Sequence, residues 1–444
     1  MKKILGLASL FLVALPMLTG CGKSNPILIW VGTESQEFYQ TKLDEYVANY
    51  NATNDKKFPY AIEVKGVDTG SAAATFLDDT EAGADIFTVA HDNLGKLIAG
   101  SSGISPITDA SLLAQIDADN PDTFKTVIKG KVSGTEYTFG VPYIAQSLIL
   151  YYNKAYLNAT DVETWEGIWA KAVTNQKQAL SLTGTDGFNN SFLLLARKVA
   201  DDSTSLQLYE DAVQENCFAT GDDTVSKLKW GQRFFTGNYG ARVPSSSGWE
   251  VELKDELSLS VIGGAWHYNA AKSSLGEENL GIAILPRFTI TEADAYGTSV
   301  AGTVYQSGSF TDTKMLVMKK GSTKADYLQG IMKYMSSKEI QELSFETCAN
   351  LPAYKNALEE FEAMSADTME AQLARCQTEM FSHGIPQPFG AQSKFNVYYY
   401  SKGAPELIAA ILQNTGNAYS TDQAIYDELV VIERIWKTGN KEAA

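Results

Sequence analysis

The residues best suited to metal binding or acid–base chemistry are few in this chain of 444 residues. Its three histidines, His91, His267 and His383, are scattered, and no H-x-x-x-H or C-x-x-C spacing supports a zinc site. The motifs G-x-S-x-G, G-x-x-x-x-G-K-[ST] and G-x-G-x-x-G are also absent from the sequence. Carboxylate pairs are abundant in so acidic a chain, so a glycosidase pair is neither supported nor excluded. These residues predict no metal, no cofactor and no catalytic role.

The cysteines do not form a disulfide framework. Besides Cys21 there are Cys217, Cys348 and Cys376, which allow at most one intramolecular disulfide. Cys348 and Cys376 could pair. Buried free thiols are favoured instead, because free cysteine behaves as a small apolar side chain.

Cys21 follows an N-terminal stretch that has the features of a secretory signal. Two lysines precede an apolar run, and Leu18-Thr19-Gly20-Cys21 then resembles the bacterial lipobox, in which the cysteine is lipidated. We therefore expect a signal peptide over 1–20, a lipid on Cys21 and a tether over 21–26. The alternative is an ordinary signal peptide with an incidental cysteine. With the lipid, the mature protein would be held at the outer face of the cell membrane.

Length and charge limit the rest of the chain. About 420 residues remain after the predicted cleavage, which suits two or three domains. No later apolar run approaches the ~20 residues needed to span a bilayer. The net charge of -17 disfavours nucleic acid and anionic lipid headgroups as partners. We expect a monomer.

Aromatic residues beside turns are the strongest candidates for ligand contact. The chain has 22 tyrosines, 19 phenylalanines and 7 tryptophans, and aromatic faces suit the C–H faces of sugar rings while giving large contact area at low entropy cost. For any single aromatic residue, packing in the core is the alternative. The candidates of this kind include Trp249, Trp266, Tyr268, Tyr305 and Phe395.

The elements that must position these residues alternate between strand and helix. ILIWV from Ile27 is a strand-length apolar run, and the next segment places Tyr39, Leu43 and Tyr46 at helical spacing. YAIEVK and DIFTVA predict two more strands with a short helix between them. KMLVMKK at 314–320 predicts a late strand. Ser420 and Gln423 form a capping-box signal for the last helix. The alternation predicts an α/β fold with largely parallel sheet.

Six segments, in matching order, resemble the maltose-binding branch of the extracellular solute-binding proteins of ABC importers. They are GADIFTVAHDNLGKLIAGSSGISPI (83–107), GVPYIAQSLILYYNKAYL (140–157), TWEGIW (164–169), VIGGAWHYNAA (261–271), GIAILP (281–286) and SHGIPQPFGAQSKFNVYYY (382–400). The resemblance implies a type II periplasmic-binding-protein-like fold, with two α/β lobes joined by a hinge. It implies an N-terminal lobe over 27–145 and 310–348, and a C-terminal lobe over 146–309 and 349–444. Hinge crossings are expected near 144–150, 305–314 and 350–353.

The resemblance also implies binding residues, position by position. Asp92 matches a pocket aspartate that accepts hydrogen bonds from sugar hydroxyls; a helix N-cap is its alternative role. Trp266 matches a stacking tryptophan, and Gln146 stands where maltose binders have a glutamate. Other positions depart from the family pattern, which puts maltose itself in doubt. The departures that remain ligand candidates are Glu34, Asn93 and Asn396.

The prediction is thus a lipid-anchored carbohydrate-binding subunit of an ABC importer. It would capture an oligosaccharide of maltodextrin type by hinge closure and deliver it to the permease subunits. Two alternatives remain: the same scaffold binding a non-sugar solute, and a surface lipoprotein enzyme that processes glycans.

Overall fold

The computed structural model describes residues 25–99, 103–182, 187–200, 221–243, 248–357, 360, 368–388, 396–400 and 402–442. The predicted signal peptide, Cys21 and Phe395 lie outside the described residues. For Asn396 only the backbone is described, in a single π-helical turn over Asn396–Tyr400.

The strands form where the sequence has short apolar or alternating runs. They are β1 Ile27–Val31, β2 Ile62–Gly66, β3 Ile86–Ala90, β4 Ile104–Ser105, β5 Lys129–Val132, β6 Thr135–Thr138, β7 Gly140–Gln146, β8 Ile149–Asn153, β9 Leu180–Ser181, β10 Arg197–Lys198, β11 Ala241–Arg242, β12 Ser260–Gly263, β13 Leu280–Ala283, β14 Arg287–Thr289, β15 Val304–Gln306, β16 Phe310–Lys319 and β17 Ile385–Pro386.

The helices alternate with these strands, as predicted for an α/β fold. They are α1 Gln36–Thr53, α2 Ala72–Asp78, α3 Leu94–Ile98, α4 Ala110–Asp119, α5 Asp122–Val127, α6 Trp165–Asn175, α7 Asp222–Thr236, α8 Trp249–Lys254, α9 Tyr268–Leu275, α10 Ala325–Met335, α11 Lys338–Cys348, α12 Met369–Ser382, α13 Ala404–Leu412 and α14 Asp422–Thr438.

The first lobe is built on a sheet whose strands run in the order β17-β16-β3-β1-β2, with β4 and β7 also paired to β16. β1 is parallel to β2 and β3, while β16 runs antiparallel to β3. Alternate faces of β1 and β3 are both buried, which explains their continuous apolar sequences. The carboxyl ends of β1, β2 and β3 therefore meet at one edge of the sheet.

The second lobe has its own sheet, ordered β11-β9-β12-β8-β13. β8 is antiparallel to both β12 and β13, and its five residues are all buried. The lobe's separate hydrophobic core includes Trp165 and Trp230, both fully buried. The α/β fold with two cores confirms the predicted fold class.

Within the described residues, three passages of the chain between the two cores lie side by side. Ile144 belongs to the first core and Ala145 to the second, and the backbone N–H of Ala145 donates to the carbonyl oxygen of Leu351 at 2.7 Å. β16 starts with Phe310 in the second core and continues with Met315 in the first. β7 and β16 pair along the junction. Hinge motion at these passages stays a prediction.

Of two local predictions, the cap of the last helix is wrong and the free thiols of Cys348 and Cys376 are confirmed. The last helix is capped by Thr421, whose side chain accepts from the Ala424 N–H at 3.2 Å, while the Ser420 hydroxyl donates to the Asn417 carbonyl. The capping-box assignment to Ser420 was therefore wrong by one residue. Cys348 and Cys376 are free thiols, as favoured, and burial raises their pKa values to about 11 and about 12.

Candidate ligand-binding cleft

A cleft of about 540 Å³ opens between the two lobes, at the carboxyl ends of the parallel strands of the first lobe. Open α/β sheets bind ligands at this edge, because the loops that follow the strands converge there. The lining residues are Thr33, Glu34, Asp68, Thr69, Gly70, Ala90, Asp92, Asn93, Lys96, Gln146, Phe188, Trp266, Asp312, Lys314, Gln387 and Tyr400. Of the sequence-predicted site residues, Glu34, Asp92, Asn93, Gln146 and Trp266 meet in this cleft.

The turn after β3 brings two buried polar side chains to the first-lobe wall. Asn93 Nδ2 donates to Asp92 Oδ1 at 2.8 Å, and Asn93 Oδ1 has no hydrogen-bond partner among the described residues. The helix that follows has Asn93 at its N-cap position and no side-chain cap bond, so the alternative role of Asp92 as its N-cap is not realised. Burial lowers the pKa of Lys96, and the carboxylate of Asp92 opposes that shift.

Asp312 joins both lobes through one buried carboxylate. Its Oδ2 accepts from Gln146 Nε2 at 3.0 Å and from Gln387 Nε2 at 2.7 Å. Its Oδ1 lies 3.1 Å from His91 Nδ1, in the turn after β3. The Tyr400 hydroxyl donates to Gln387 Oε1 at 2.6 Å, which extends the network into the second lobe. Because these donors come from both lobes, a change in the angle between the lobes would alter the hydrogen bonds of the Asp312 carboxylate.

Trp266 forms the second-lobe side of the cleft. It follows Gly263 and Gly264 at the end of β12, and a Cβ on Gly264 would lie only 1.9 Å from the indole ring. The glycine is therefore required for the ring to fold back over the turn. The Phe188 ring lies 6.1 Å from the indole, and Lys314 Nζ stands 5.3 Å from its centroid. Lys314 Nζ is also 3.8 Å from Glu34 Oε1, on another residue that lines the cleft.

His267 supports this turn from behind. Its ring lies between those of Trp249, 4.7 Å away, and Trp266, 5.4 Å away. Burial lowers the pKa of His267 to about 4, and the positive charge of Lys314 adds to the effect. The imidazole is therefore neutral near pH 7.

Three predicted aromatic contacts are not among the residues that line the cleft, because packing uses them instead. Trp249 is buried in α8 against the His267 ring. Tyr268 is buried at the start of α9 and donates its hydroxyl proton to Glu370 at 2.9 Å. Tyr305 is buried in β15 with its ring stacked on Phe288 at 5.5 Å. A position beside a turn residue did not distinguish these rings from Trp266.

Several cleft residues were missed by the sequence reasoning. The clearest are Asp312 and Lys314, which open the strand predicted from KMLVMKK. The signal was present, since four polar residues, Thr311 to Lys314, precede an apolar run in a strand that is buried along most of its length. Buried polar side chains need partners, so such a run marks a strand end that faces other polar groups. Gln387 and Tyr400 lie in the segment 382–400, which resembles the family, but neither was chosen as a candidate ligand contact.

The cleft lining carries more acidic than basic side chains. The lining contains four carboxylates, on Glu34, Asp68, Asp92 and Asp312, and two lysines. Glu34 faces Lys314, Asp92 neighbours Lys96, and Asp312 faces His91. Asp68 is exposed and accepts from the Ser71 N–H. Over the described ranges, no group of histidine, cysteine and acidic residues could hold a metal ion.

This fold and cleft define a two-lobed solute-binding protein. The family model for bacterial extracellular solute-binding proteins matches residues 45–371, most of the chain, so the protein belongs to that family, as predicted. No curated protein matches the sequence significantly. Within the part of the chain that the structure covers, no helix is both long and apolar enough to cross a membrane.

Solved structures share the fold at low sequence identity. A structure solved with acarbose matches with a TM-score of 0.73 and 18% identity, covering 94% of this chain and 100% of that chain. The GacH receptor of Streptomyces glaucescens, reported unliganded and with acarbose, gives 0.68 and 17% over 93% and 98% of the chains. The maltodextrin-binding protein of L. casei gives 0.66 and 16% over 94% and 99%.

Proposed function

We propose that the protein is the receptor subunit of an ABC importer for a neutral oligosaccharide, which it binds between its lobes. The observation that carries the proposal is the pairing of Trp266 on one wall with the buried acceptors of Asp92, Asn93, Gln146 and Asp312 opposite and beside it. An indole face takes the C–H face of a sugar ring, and the acceptors take its hydroxyl protons.

The acceptors support a ligand rich in hydroxyl groups. Asn93 Oδ1 and Gln146 Oε1 are buried without a hydrogen-bond partner among the described residues. A buried polar atom left in that condition costs free energy, which a hydroxyl donor from the ligand would recover. The excess of carboxylates over lysines in the lining disfavours an anionic ligand. Structural relatives solved with acarbose, or named for maltodextrin, support the same class.

Capture by closure follows from the position of the cleft. A ligand that contacts Trp266 and Asp92 at once binds a closed form better than an open one, and this difference in affinity shifts the population. The proposed hinge is formed by the passages near 144–150, 305–314 and 350–353. The proposed lobes are 27–145 with 310–348 and 146–309 with 349–444.

The remaining parts of the proposal concern attachment and partners. A lipid on Cys21 would hold the receptor at the outer face of the cell membrane, where it would deliver its ligand to the permease subunits. Stable anchoring takes more than one acyl chain, as lipobox cysteines carry. The charge of -17 favours neither nucleic acid nor anionic lipid as a partner.

A thermal-shift screen tests the function directly. Neutral mono- and oligosaccharides, charged amino acids and organic cations are each added to the full chain. A ligand at about 100 times its Kd stabilises the folded state by about 2.7 kcal/mol. We expect stabilisation by an oligosaccharide that chromatography recovers intact. Stabilisation by charged solutes alone would favour the non-sugar alternative, and cleavage of the added sugar would favour an enzyme.

A further inference from the structure

The point at which the chain enters the first lobe is fixed by a buried lysine. Lys324, 3% exposed, donates from Nζ to Asn25 Oδ1 at 3.1 Å, to the Pro26 carbonyl at 2.8 Å and to Asp85 Oδ2 at 2.9 Å. Ile27 then opens β1, and its N–H donates to the Ala61 carbonyl at 2.8 Å. Asn25 is therefore held at the edge of the sheet where β1, β2 and β3 begin.

A cluster of tyrosines lies at this same edge. We call it the tyrosine surface; its members pack around Phe58 or on one another, with ring centroids 5.0–6.4 Å apart, and are Tyr46, Tyr50, Tyr60, Tyr327 and Tyr334. Lys324 Nζ, which holds Asn25, also stands 5.8 Å from the Tyr60 centroid. The tyrosine surface thus adjoins the point of chain entry.

The tyrosine surface is amphipathic and only partly covered. All five side chains are partly exposed, while Phe58 beneath them is buried. Their hydroxyl groups make no hydrogen bond to another described residue, and none is among the buried atoms that lack a partner, so they reach solvent. An apolar ring with a solvated hydroxyl is the side chain that bilayers favour at their headgroup level.

Covalent geometry limits how far this surface can be from a lipid on Cys21. Four residue steps separate Cys21 from Asn25. A fully extended chain spans at most about 3.6 Å for each step, so Asn25 stays within about 14 Å of the lipidated cysteine. A body tethered this closely, at a point beside five tyrosines, has those tyrosines within reach of the headgroups.

We propose that the tyrosine surface docks on the interfacial region of the lipid bilayer, as a second contact beside the anchor. The inference rests on the lipid anchor of the proposed function. The five tyrosine side chains are uncharged, while the carboxylates of Glu45 and Glu339 lie near Tyr334. The surface therefore suits a zwitterionic bilayer rather than an anionic one. The cleft lies at the opposite ends of β1, β2 and β3, roughly 13 Å away along four strand steps. In the docked orientation the cleft opens away from the lipid, toward arriving solute.

The experiment uses the full, lipidated chain reconstituted into phosphatidylcholine vesicles. Flotation measures anchoring, and hydroxyl-radical footprinting measures the oxidation rate of each tyrosine. We expect oxidation of the five surface tyrosines to fall at least threefold relative to the Cys21→Ser chain mixed with the same vesicles. Tyr426, partly exposed in α14 of the second lobe, serves as the internal control and should keep its rate.

A charged substitution separates docking from mere proximity. Tyr334→Glu places a carboxylate at the rim of the tyrosine surface, and we expect protection of Tyr46 and Tyr50 to be lost while flotation persists. Tyr426→Glu is the matched control, with protection retained. Flotation without protection in the parent chain overturns the docking inference and leaves the anchor intact. Failure to float, with Cys21 unmodified by mass, overturns the anchor and the docking together.

Discussion

The two ends of the first-lobe sheet each contain a buried carboxylate that joins distant parts of the chain, but the two are satisfied differently. Asp85, at the amino end, accepts from the Leu28 N–H and Lys324 Nζ through Oδ2 and from the Ser322 hydroxyl through Oδ1. Asp312, at the cleft end, accepts from Gln146 and Gln387 through Oδ2, while its Oδ1 has His91 as its neighbour and no hydrogen-bond partner among the described residues.

The difference indicates that the two ends of this sheet have different roles. The partners of Asp85 among the described residues belong to the first lobe, so its bonds hold that lobe together and would not change with the lobe angle. The partners of Asp312 come from the first lobe, the crossing strands and the second lobe, so its bonds would change if the lobes moved. The account therefore predicts stability effects at the Asp85 end and binding effects at the cleft end.

The largest effect is expected at the amino end of the sheet, which contains Asp85. Lys324→Met leaves Asp85 buried without its counter-charge, which costs about 3–5 kcal/mol of unfolding free energy. Urea unfolding measures the loss, and calorimetry of the remaining folded protein should give unchanged oligosaccharide affinity. Lys42→Met, which removes the exposed pair with Glu45, is the control and should cost no more than about 1 kcal/mol. A loss for Lys324→Met as small as the control's would contradict the comparison.

The next effect removes the aromatic wall of the cleft. Trp266→Ala should cost about 2 kcal/mol of binding free energy, close to a thirtyfold loss of affinity, through lost apolar contact with the sugar. Calorimetry and melting temperature are measured together. Trp169→Ala, which removes a partly buried indole elsewhere in the second lobe, is the matched control with unchanged affinity. A large stability loss with normal affinity for Trp266→Ala would assign the ring to the core.

A smaller loss of folding stability is expected at acidic pH, because His267 packs behind the turn that contains Trp266. Its pKa is near 4 when folded and near 6.5 when unfolded, so the unfolded state binds more protons between these values. Stability should therefore fall as the pH drops from about 6.5 to about 4, by roughly 1–2 kcal/mol at pH 5. His267→Gln should remove this slope, whereas His383→Gln should leave it. An unchanged slope in His267→Gln would show that another group is responsible.

The smallest effect is expected at the cleft end of the sheet, which contains Asp312. Asp312→Asn keeps the shape of the side chain but weakens its hydrogen bonds to Gln146 and Gln387. We expect the binding free energy of the oligosaccharide to change by about 1 kcal/mol, roughly a fivefold change in affinity. Asp85→Asn is the counterpart, with lower unfolding free energy and unchanged affinity. If the two variants behaved alike in both measurements, the division between the ends of the sheet would be wrong.

Local patterns predicted the elements better than they predicted the site. β1 and α1 followed from the apolar pattern of the sequence, because such local patterns leave little choice of structure. Trp266 lines the cleft, and its match to the family's stacking tryptophan was the signal that singled it out; its contact with ligand stays a prediction. Trp249 and Tyr305 are buried and do not line the cleft, because only tertiary packing decides whether a ring beside a turn is covered. Asp312 was missed because its partners His91 and Gln387 lie far from it in the chain.

Small-angle scattering of the chain with and without a saturating oligosaccharide tests the central claim that ligand joins the two lobes around Asp312. The oligosaccharide is the one that gives the largest thermal shift, at a concentration that calorimetry shows to be saturating. The account predicts a smaller radius of gyration with ligand, since closure brings the lobes together. An unchanged radius at proven saturation would contradict closure as the mode of binding.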